Sequence, residues 1–266
     1  PVALEYPLSS EQGKLRTSLL PGLANSLQHN ANHDTAAAAL FEIGRVFRDD
    51  DGQPAEGWRL AIALTGRRFP PFHEGVERDA MNEFADLKGI IEEFAGQFGM
   101  RGVSYERHDA GSEFFVESGS VKLGNTPVGT LGQFSPLLAR RHDLKHPVFF
   151  AEFDLGQALQ RRTTKRGFKA LPAFPGTRRD IAMLVADDTT HDAVLQSVRK
   201  AKPNNLESVE LFDVYRGEGV EAGQKSVAYA FHYRSAEGTL KDKQVDAVHE
   251  KVIERLRDDL SATIRS

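Results

Sequence analysis

The second half of the chain carries two different hydrophobic repeats. Short segments with apolar side chains at alternate positions predict half-buried strands. Two longer segments repeat theirs every three or four positions, which predicts amphipathic helices. The predicted strands are residues 179–186, 206–215, 225–234 and a short last one at 261–266, and the predicted helices are 189–201 and 239–260. Their order, βαββαβ, is that of a ferredoxin-like plait, in which both helices cover one face of a four-stranded antiparallel sheet.

The first half has the pattern of an antiparallel α+β domain. Residues 38–47 and 58–66 are two predicted strands joined by a polar turn, and residues 84–99 form a predicted helix. Leucines at helical spacing within residues 10–30 predict a further helix, which Pro21 would kink or divide. Three β-rich runs follow, and no βαβ rhythm indicates a parallel sheet.

Alternation sorts the strand residues of the second half onto two faces of the predicted sheet. The face expected to pack on the helices holds Ile181, Met183, Val185, Phe212, Val214, Val227, Tyr229, Phe231 and Tyr233. The opposite face receives Asp180, Ala182, Asp213, Tyr215, Ser226, Ala228, Ala230, His232 and Arg234. This second set has no large aliphatic side chains, so it is not another core. It also lacks the Lys and Glu that cover an ordinary solvated face.

Small side chains surround one aromatic ring on that second face. A flat base could stack on Tyr215 while Asp213 and Ser226 contact its polar edge, and base–aromatic stacking contributes about 1–3 kcal/mol per base. The same spacing also fits a tyrosine at a strand end whose hydroxyl is simply hydrated. The residue pattern alone leaves both interpretations open.

Composition narrows the range of functions. The chain has 266 residues and a net charge of −4, which argues against nucleic-acid binding driven by bulk charge, so any RNA contact must be local. The absence of cysteine fits a reducing cytoplasm and excludes thiolate chemistry. No apolar run approaches the ~18 residues of a membrane span. The chain starts at Pro1 within patterned sequence, which indicates a fragment of a longer polypeptide.

A basic segment separates the two halves. Residues 157–172 contain no acid and end in a proline. Their basic residues are Arg161, Arg162, Lys165, Arg166 and Lys169. A solvated tether between domains and a segment that follows RNA phosphates would both have this composition.

Motifs throughout the chain point to one family. The stretches FPGTRRDIAMLVADD, LFDVYRGEGVEAGQKSVAYAF and TLKDKQVDAVHEKVIERL resemble the C-terminal ferredoxin-like anticodon-binding domain of bacterial phenylalanyl-tRNA synthetase β subunits. In the first half, PLSSEQGKLRTSLLPGL, LFEIGRVF, FADLKGIIEEF and VGTLGQFSPLL resemble the catalytic-like core module of the same subunits. The expected domains are therefore a class II synthetase-like, non-catalytic core over residues 1–156, a linker over 157–172 and the anticodon-binding domain over 173–266.

The resemblance implies membership of an (αβ)2 enzyme that uses ATP and Mg2+ to attach phenylalanine to tRNA(Phe) in the cytoplasm. The α subunit would hold the active site, so no catalytic residue, metal or cofactor is expected in this fragment. A working class II site needs an arginine-bearing strand pair and a glycine-rich, arginine-bearing motif to grip ATP. Arg45 and Arg48 are interpreted as structural ion-pair or interface residues, and nothing resembles the second motif.

The resemblance also implies which residues recognise the anticodon. They fall on Asp213, Tyr215 and Ser226, and Ala228 on the same predicted face completes the RNA-binding set. Arg178 and Arg179 could hold backbone phosphates. An internal ion pair fits Arg179 equally well.

Two other functions stay open at this point. One is a catalytic single-chain phenylalanyl-tRNA synthetase fragment, against which the missing glycine-rich motif speaks. The other is a regulatory ferredoxin-like module that binds a small molecule, against which the small-residue face around Tyr215 speaks. A zinc site at His29 and His33 is discounted because no third ligand is evident.

Overall fold

The structure is a computed structural model and describes residues 2–7, 13–69, 79–108, 112–163 and 171–265. The chain divides into two compact units, Pro1–Gly167 and Phe168–Ser266.

The first unit is built on a six-stranded antiparallel sheet. Its strands are β1 (Ala38–Asp50), β2 (Gln53–Thr65), β3 (Val103–Arg107), β4 (Phe115–Leu123), β5 (Thr126–Phe134) and β6 (Val148–Asp154), in the order β1-β2-β6-β5-β4-β3. The predicted pair β1–β2 is confirmed. Asp51 and Gly52 connect these strands with φ angles of 51° and 83°, which is the backbone of the two-residue turns that hairpins favour.

Helices cover both faces of this sheet. They are α1 (Leu20–Ala31), α2 (Phe84–Gln97), α3 (Pro136–Arg141) and α4 (Leu155–Gln160). One core lies between the sheet and α2 with α4, and includes Leu87, Ile91 and Ala158. A second core on the opposite face holds α1 and α3 against Ala61 and Phe150.

Two expectations for the first unit need correction. The first helix begins only at Leu20, so Pro21 lies in its first turn, where proline is compatible with a helix, and causes no kink. Residues 10–12 of the predicted helix lie outside the described part of the chain. The first residues of the predicted linker are helical, because α4 runs to Gln160 and buries Ala158. Lys165, Arg166 and Lys169 lie outside the described residues.

The second unit confirms the predicted βαββαβ order. It consists of β7 (Thr177–Ala186), α5 (His191–Ala201), β8 (Leu206–Tyr215), β9 (Gln224–Tyr233), α6 (Asp242–Leu260) and β10 (Thr263–Arg265). The four strands form an antiparallel sheet in the order β10-β7-β9-β8. Thr190 caps α5, since its hydroxyl accepts a hydrogen bond of 3.1 Å from the Ala193 N–H.

One face of this sheet packs on α5 and α6. Ile181, Met183, Tyr229 and Phe231 project from β7 and β9 into a core that also includes Val198 and Leu256. The two tyrosines of this core keep hydrogen-bond partners, as buried hydroxyls usually do. The Tyr229 hydroxyl lies 2.9 Å from Nδ1 of His191, and the Tyr233 hydroxyl lies 2.9 Å from Nδ1 of His249.

Strand β8 departs from simple alternation. Leu211 lies opposite Tyr229, but the next pair joins Asp213 to Ala228, so Phe212 is an extra residue in a β-bulge. Phe212 is therefore not in the core, as alternation predicts, but is 49% exposed. Val214 lies opposite the buried Val227 as predicted, yet it is 44% exposed because β8 is an edge strand.

Candidate nucleic-acid interface

The face of the second unit's sheet that points away from α5 and α6 is called the outer face here. Residues directly opposite one another on neighbouring strands share a face, so the pairing of β7, β9 and β8 sorts the outer face into four rows. The rows are Leu184–Ser226–Tyr215, Ala182–Ala228–Asp213, Asp180–Ala230–Glu210 and Arg178–His232–Ser208. The structure therefore brings Asp213, Tyr215, Ser226, Ala228 and Arg178 together on one surface.

Tyr215 lies at the end of the outer face, against the turn between β8 and β9. Tyr215 is 45% exposed, and its hydroxyl donates a hydrogen bond of 3.3 Å to the Glu218 carbonyl oxygen. The backbone of Gly217 supports the ring so closely that a Cβ there would lie 2.6 Å from the tyrosine oxygen and 2.8 Å from Cζ. The ring is thus held in place by the turn while part of its surface stays accessible to a ligand.

Asp213 occupies the next row and remains free for a ligand. Its side chain is exposed, and its carboxylate forms no hydrogen bond or ion pair with any residue that the structure describes. Ala228 and Ala182 continue the row as a flat floor of methyl groups. Ser226 lies beside Tyr215 and is largely buried, so it offers little surface of its own.

The turn beside Tyr215 is tied to the loop that follows β7. Arg216 Nε lies 2.7 Å from the Asp187 carboxylate, and Lys225 Nζ donates a hydrogen bond of 2.7 Å to the Asp187 carbonyl oxygen. The Asp187 N–H in turn donates to the Gly223 carbonyl oxygen at 2.9 Å. These bonds fix the end of the sheet where Tyr215 is placed. Arg216 is engaged in this anchor.

Arg178 lies at the other end of the outer face and is paired. Its Nε and Nη2 atoms donate to the two carboxylate oxygens of Asp180 at 2.7 and 3.1 Å. The hydrogen bond to Asp180 raises the pKa of Arg178 above its ordinary value, so the guanidinium is charged throughout the physiological range. The guanidinium carbon also lies 5.3 Å from the centroid of the Phe212 ring.

Arg179 lies on the opposite side of the sheet. Its guanidinium donates to Asp242 at 2.8 Å and to Asp246 at 2.9 Å, which joins the start of β7 to α6. The hydrogen bonds to these two acids raise its pKa. The structure does not bring Arg179 together with the other predicted RNA-binding residues, and an ion pair within the fold accounts for it.

Sequence reasoning missed Phe212, although a signal is present in the sequence. The apolar residues Val209 and Leu211 occupy odd positions in β8, whereas Phe212 and Val214 occupy even ones. A strand that keeps one face inward cannot change the phase of its alternation without an inserted residue. The change of phase between Leu211 and Phe212 marks the bulge.

A metal site and an arginine pair for ATP phosphates are the other candidate sites considered. No three His, Cys, Asp or Glu side chains among the described residues are grouped so as to hold a metal ion. Arg45 and Arg48 form ion pairs with Glu56 at 3.0 Å and Asp50 at 3.9 Å. None of the helices in the part of the chain that the structure describes is long and apolar enough to cross a membrane.

Comparison with known proteins assigns both units. Residues 1–155 match the family model described as "Phenylalanyl tRNA synthetase beta chain CLM domain", and residues 172–265 match "Ferredoxin-fold anticodon binding domain". A chain of a pyrrolysyl-tRNA synthetase from Desulfitobacterium hafniense is a distant structural neighbour, with a TM-score of 0.44 and 18% identity over 58% of this chain and 52% of that one. That likeness is too remote to bear on function.

Two curated relatives are similar along the whole sequence. The phenylalanine–tRNA ligase β subunit of Syntrophotalea carbinolica is 35% identical over 100% of this chain and 33% of its own length. That of Geobacter sulfurreducens is 36% identical over 99% of this chain and 33% of its own length. The chain thus spans about a third of these relatives. Because the first family model matches more than half of its residues, the chain belongs to the phenylalanyl-tRNA synthetase β chain family.

Proposed function

We propose that this chain is the part of a cytoplasmic phenylalanine–tRNA ligase that binds the anticodon of tRNA(Phe) and joins the ligase to its α subunit. The observation that carries the RNA-binding role is the outer face, where the half-exposed ring of Tyr215 lies beside the unpartnered carboxylate of Asp213. The names of the relatives supply the reaction class.

The outer face would recognise a base by stacking and by hydrogen bonding at its edge. A base lying on Tyr215 would place its edge over the methyl floor of Ala228 and Ala182. There the Asp213 carboxylate could accept hydrogen bonds from ring or amino N–H groups. Ser226 would support the position rather than supply much contact, because its side chain is largely buried.

The first unit would serve assembly rather than chemistry. ATP and Mg2+ would act in the α subunit, since the arginines nearest to a phosphate-gripping pattern, Arg45 and Arg48, already face acids in hairpin β1–β2. The same hairpin exposes Phe41, Ile43 and Trp58 on one side. Exposed apolar side chains grouped in this way are typical of a protein–protein interface, and the proposed occupant is the α subunit of an (αβ)2 assembly.

Tyr215→Ala tests the RNA-binding role. We expect the variant to bind the anticodon stem-loop of tRNA(Phe) more weakly by about 1–3 kcal/mol, because the stacking surface is lost. Tyr6→Ala is a matched control, since Tyr6 is 86% exposed in the first unit. A titration in which both variants bind like the parent chain would contradict the proposal.

Asp213→Ala tests base recognition separately from stacking. Because the carboxylate contacts the edge of the base and not its face, we expect discrimination between cognate and altered anticodon loops to fall more than cognate affinity. Equal losses on all loops would show that Asp213 does not read the base. ATP–pyrophosphate exchange by this chain alone would favour the rival function, a catalytic single-chain synthetase.

A further inference from the structure

Phe212 has a large apolar side chain that does not pack into the core of the second unit. The bulge turns it out of the core formed by β7, β9, α5 and α6, and about half of its surface is exposed. Its neighbours Leu211 and Asp213 keep the positions that the sheet requires, Leu211 against Tyr229 and Asp213 in line with Ala228. The ring therefore lies on the outer face in addition to the residues that alternation places there.

Arg178 provides a second flat group at the same place. The guanidinium lies over the Phe212 ring, 5.3 Å from carbon to centroid. Its two hydrogen bonds to Asp180 hold it in one orientation. Side chains of both kinds, aromatic rings and guanidinium planes, stack on the unpaired bases of single-stranded RNA.

The surface between this pair and Tyr215 carries small side chains and one carboxylate. Asp213, Ala228 and Ala182 form the intervening row, and Ala230 lies in the next row, between Asp180 and Glu210. Phe212 and Tyr215 are three residues apart on the strand, which corresponds to roughly 10 Å at the rise of an extended chain. Two bases of one strand can therefore lie on the outer face side by side, with the Asp213 carboxylate between them and no other large side chain on β8.

We propose that Phe212 and Arg178 form a second base-stacking position, so that the outer face binds two bases of one RNA strand, one here and one on Tyr215. The proposal rests on the proposed function and extends it from one base to two. A four-stranded sheet whose surface aromatics stack two or three bases is a general mode of single-strand recognition. Because Arg178 is already paired with Asp180, it is better suited to offer the flat face of its guanidinium to a base than to bind a phosphate.

The first test compares substitutions of the ring in the full chain. Phe212→Leu keeps an apolar side chain but removes the ring face, and we expect it to weaken binding of the anticodon stem-loop between about fivefold and a hundredfold. Phe212→Tyr keeps the ring and should bind like the parent chain. Val214→Ala is the matched control, because Val214 is on the same strand with a similar exposure of 44% but on the other face.

The second test identifies which base each ring contacts. Stem-loops with a single abasic nucleotide at successive loop positions are titrated against the parent chain, Phe212→Leu and Tyr215→Ala. Removal of the base that stacks on a ring should abolish the penalty of substituting that ring. We expect the penalties of Phe212→Leu and Tyr215→Ala to vanish at two different loop positions.

A third variant separates stacking from phosphate binding at Arg178. Arg178→Lys keeps the positive charge and removes the plane, so we expect it to weaken binding by several-fold while leaving the dependence of affinity on salt unchanged. Binding like the parent chain would mean that Arg178 acts only as a charge and would overturn its part in the stack.

The outcomes distinguish this inference from the function on which it rests. If Tyr215→Ala weakens binding and Phe212→Leu does not, the second position is wrong and the proposed function stands. The same conclusion follows if Phe212→Tyr loses as much affinity as Phe212→Leu, or if both rings depend on the same base. If neither Tyr215→Ala nor Phe212→Leu changes affinity, the proposed function itself fails.

Discussion

The two sheets of this chain use their faces differently. The sheet of the first unit has a hydrophobic core on both faces, one under α2 and α4 and one under α1 and α3. The sheet of the second unit has a core on one face only, and its outer face carries alanines, paired charges and two half-exposed rings. The first sheet is thus buried on both sides and serves the structure of its unit. The second sheet keeps one face that is not covered by a core and that a binding partner can contact.

Two carboxylates make the same contrast at the level of single residues. Glu152 on β6 accepts hydrogen bonds from the Leu19 N–H at 2.6 Å and the Ser18 hydroxyl at 3.0 Å, so it anchors the start of α1 to the sheet. Asp213 on β8 has no such partner among the described residues. The Glu152 carboxylate is therefore engaged in contacts within the fold, whereas the Asp213 carboxylate is accessible to a ligand.

The largest expected effect tests whether the two faces of the second sheet contribute differently to stability. Phe231 is completely buried on the packed face, so Phe231→Ala should lower the free energy of unfolding of the second unit by about 3–5 kcal/mol. Asp213→Ala on the outer face should change it by no more than about 0.5 kcal/mol. Urea unfolding of both variants measures the difference, and similar losses would mean that the outer face is structural.

A smaller effect is expected where a carboxylate holds two elements together. Glu152→Ala removes the acceptor of the Leu19 N–H and should destabilise the first unit by about 1–3 kcal/mol. Glu117→Ala is the control, because Glu117 lies on the same sheet in an exposed ion pair with Arg107 and should cost below about 1 kcal/mol. If Glu152→Ala and Glu117→Ala had equal urea midpoints, Glu152 would not be structural, and the contrast drawn between Glu152 and Asp213 would be wrong.

The support of Tyr215 can be tested through its glycine. A Cβ at Gly217 would overlap the tyrosine ring, so Gly217→Ala should displace the ring and weaken stem-loop binding, by less than removing the ring does, about 1 kcal/mol or less. In Gly57→Ala the added methyl meets nothing within 4 Å, and binding should not change. Full retention of affinity by Gly217→Ala would mean that the ring's position is unimportant.

The smallest effect should appear as a pH dependence of the packed face. Burial lowers the pKa of His249, and the charge of Arg179 acts in the same direction, while Asp246, Glu250 and Asp180 oppose it. A histidine with a lowered folded-state pKa is protonated more readily when unfolded. The second unit should therefore be most stable above the ordinary histidine value of 6.5 and lose stability as the pH falls below it.

His249→Gln is the variant that isolates this dependence. In this variant the urea midpoint of the second unit should decrease less between about pH 7.5 and pH 5.5 than in the parent chain. The transition of the second unit is identified as the one that Phe231→Ala shifts. Variants of the exposed outer face should leave the decrease as it is. An unchanged slope in His249→Gln would assign the pH dependence to other groups.

Much of this architecture could be predicted from the sequence, because local patterns determine it. The spacing of apolar residues predicted the two helices of the second unit and its strands. What could not be predicted depends on contacts between distant segments. Arg179 is an example, because only the packing of α6 brings Asp242 and Asp246 within hydrogen-bond distance of its guanidinium.

The site shows the same limit. Alternation placed Asp213 and Tyr215 on the correct face because both follow the bulge. It misplaced Phe212 because that residue is the inserted one and has no place in the alternation. The burial of Ser226 could not be predicted either, since it depends on the neighbours Leu184 and Tyr215 in the folded row.

The bulge in β8 also bears on how this strand could change over generations. With Phe212 deleted, Leu211 would be followed directly by Asp213, and inward and outward positions would alternate without interruption from Val209 to Tyr215. Hydrogen bonding between β8 and β9 thus makes no demand for that amino acid. A single deletion could remove Phe212 and leave the plait complete, with Tyr215 still on the outer face. Whether relatives keep or lose this residue would therefore report on selection for the surface and not for the fold.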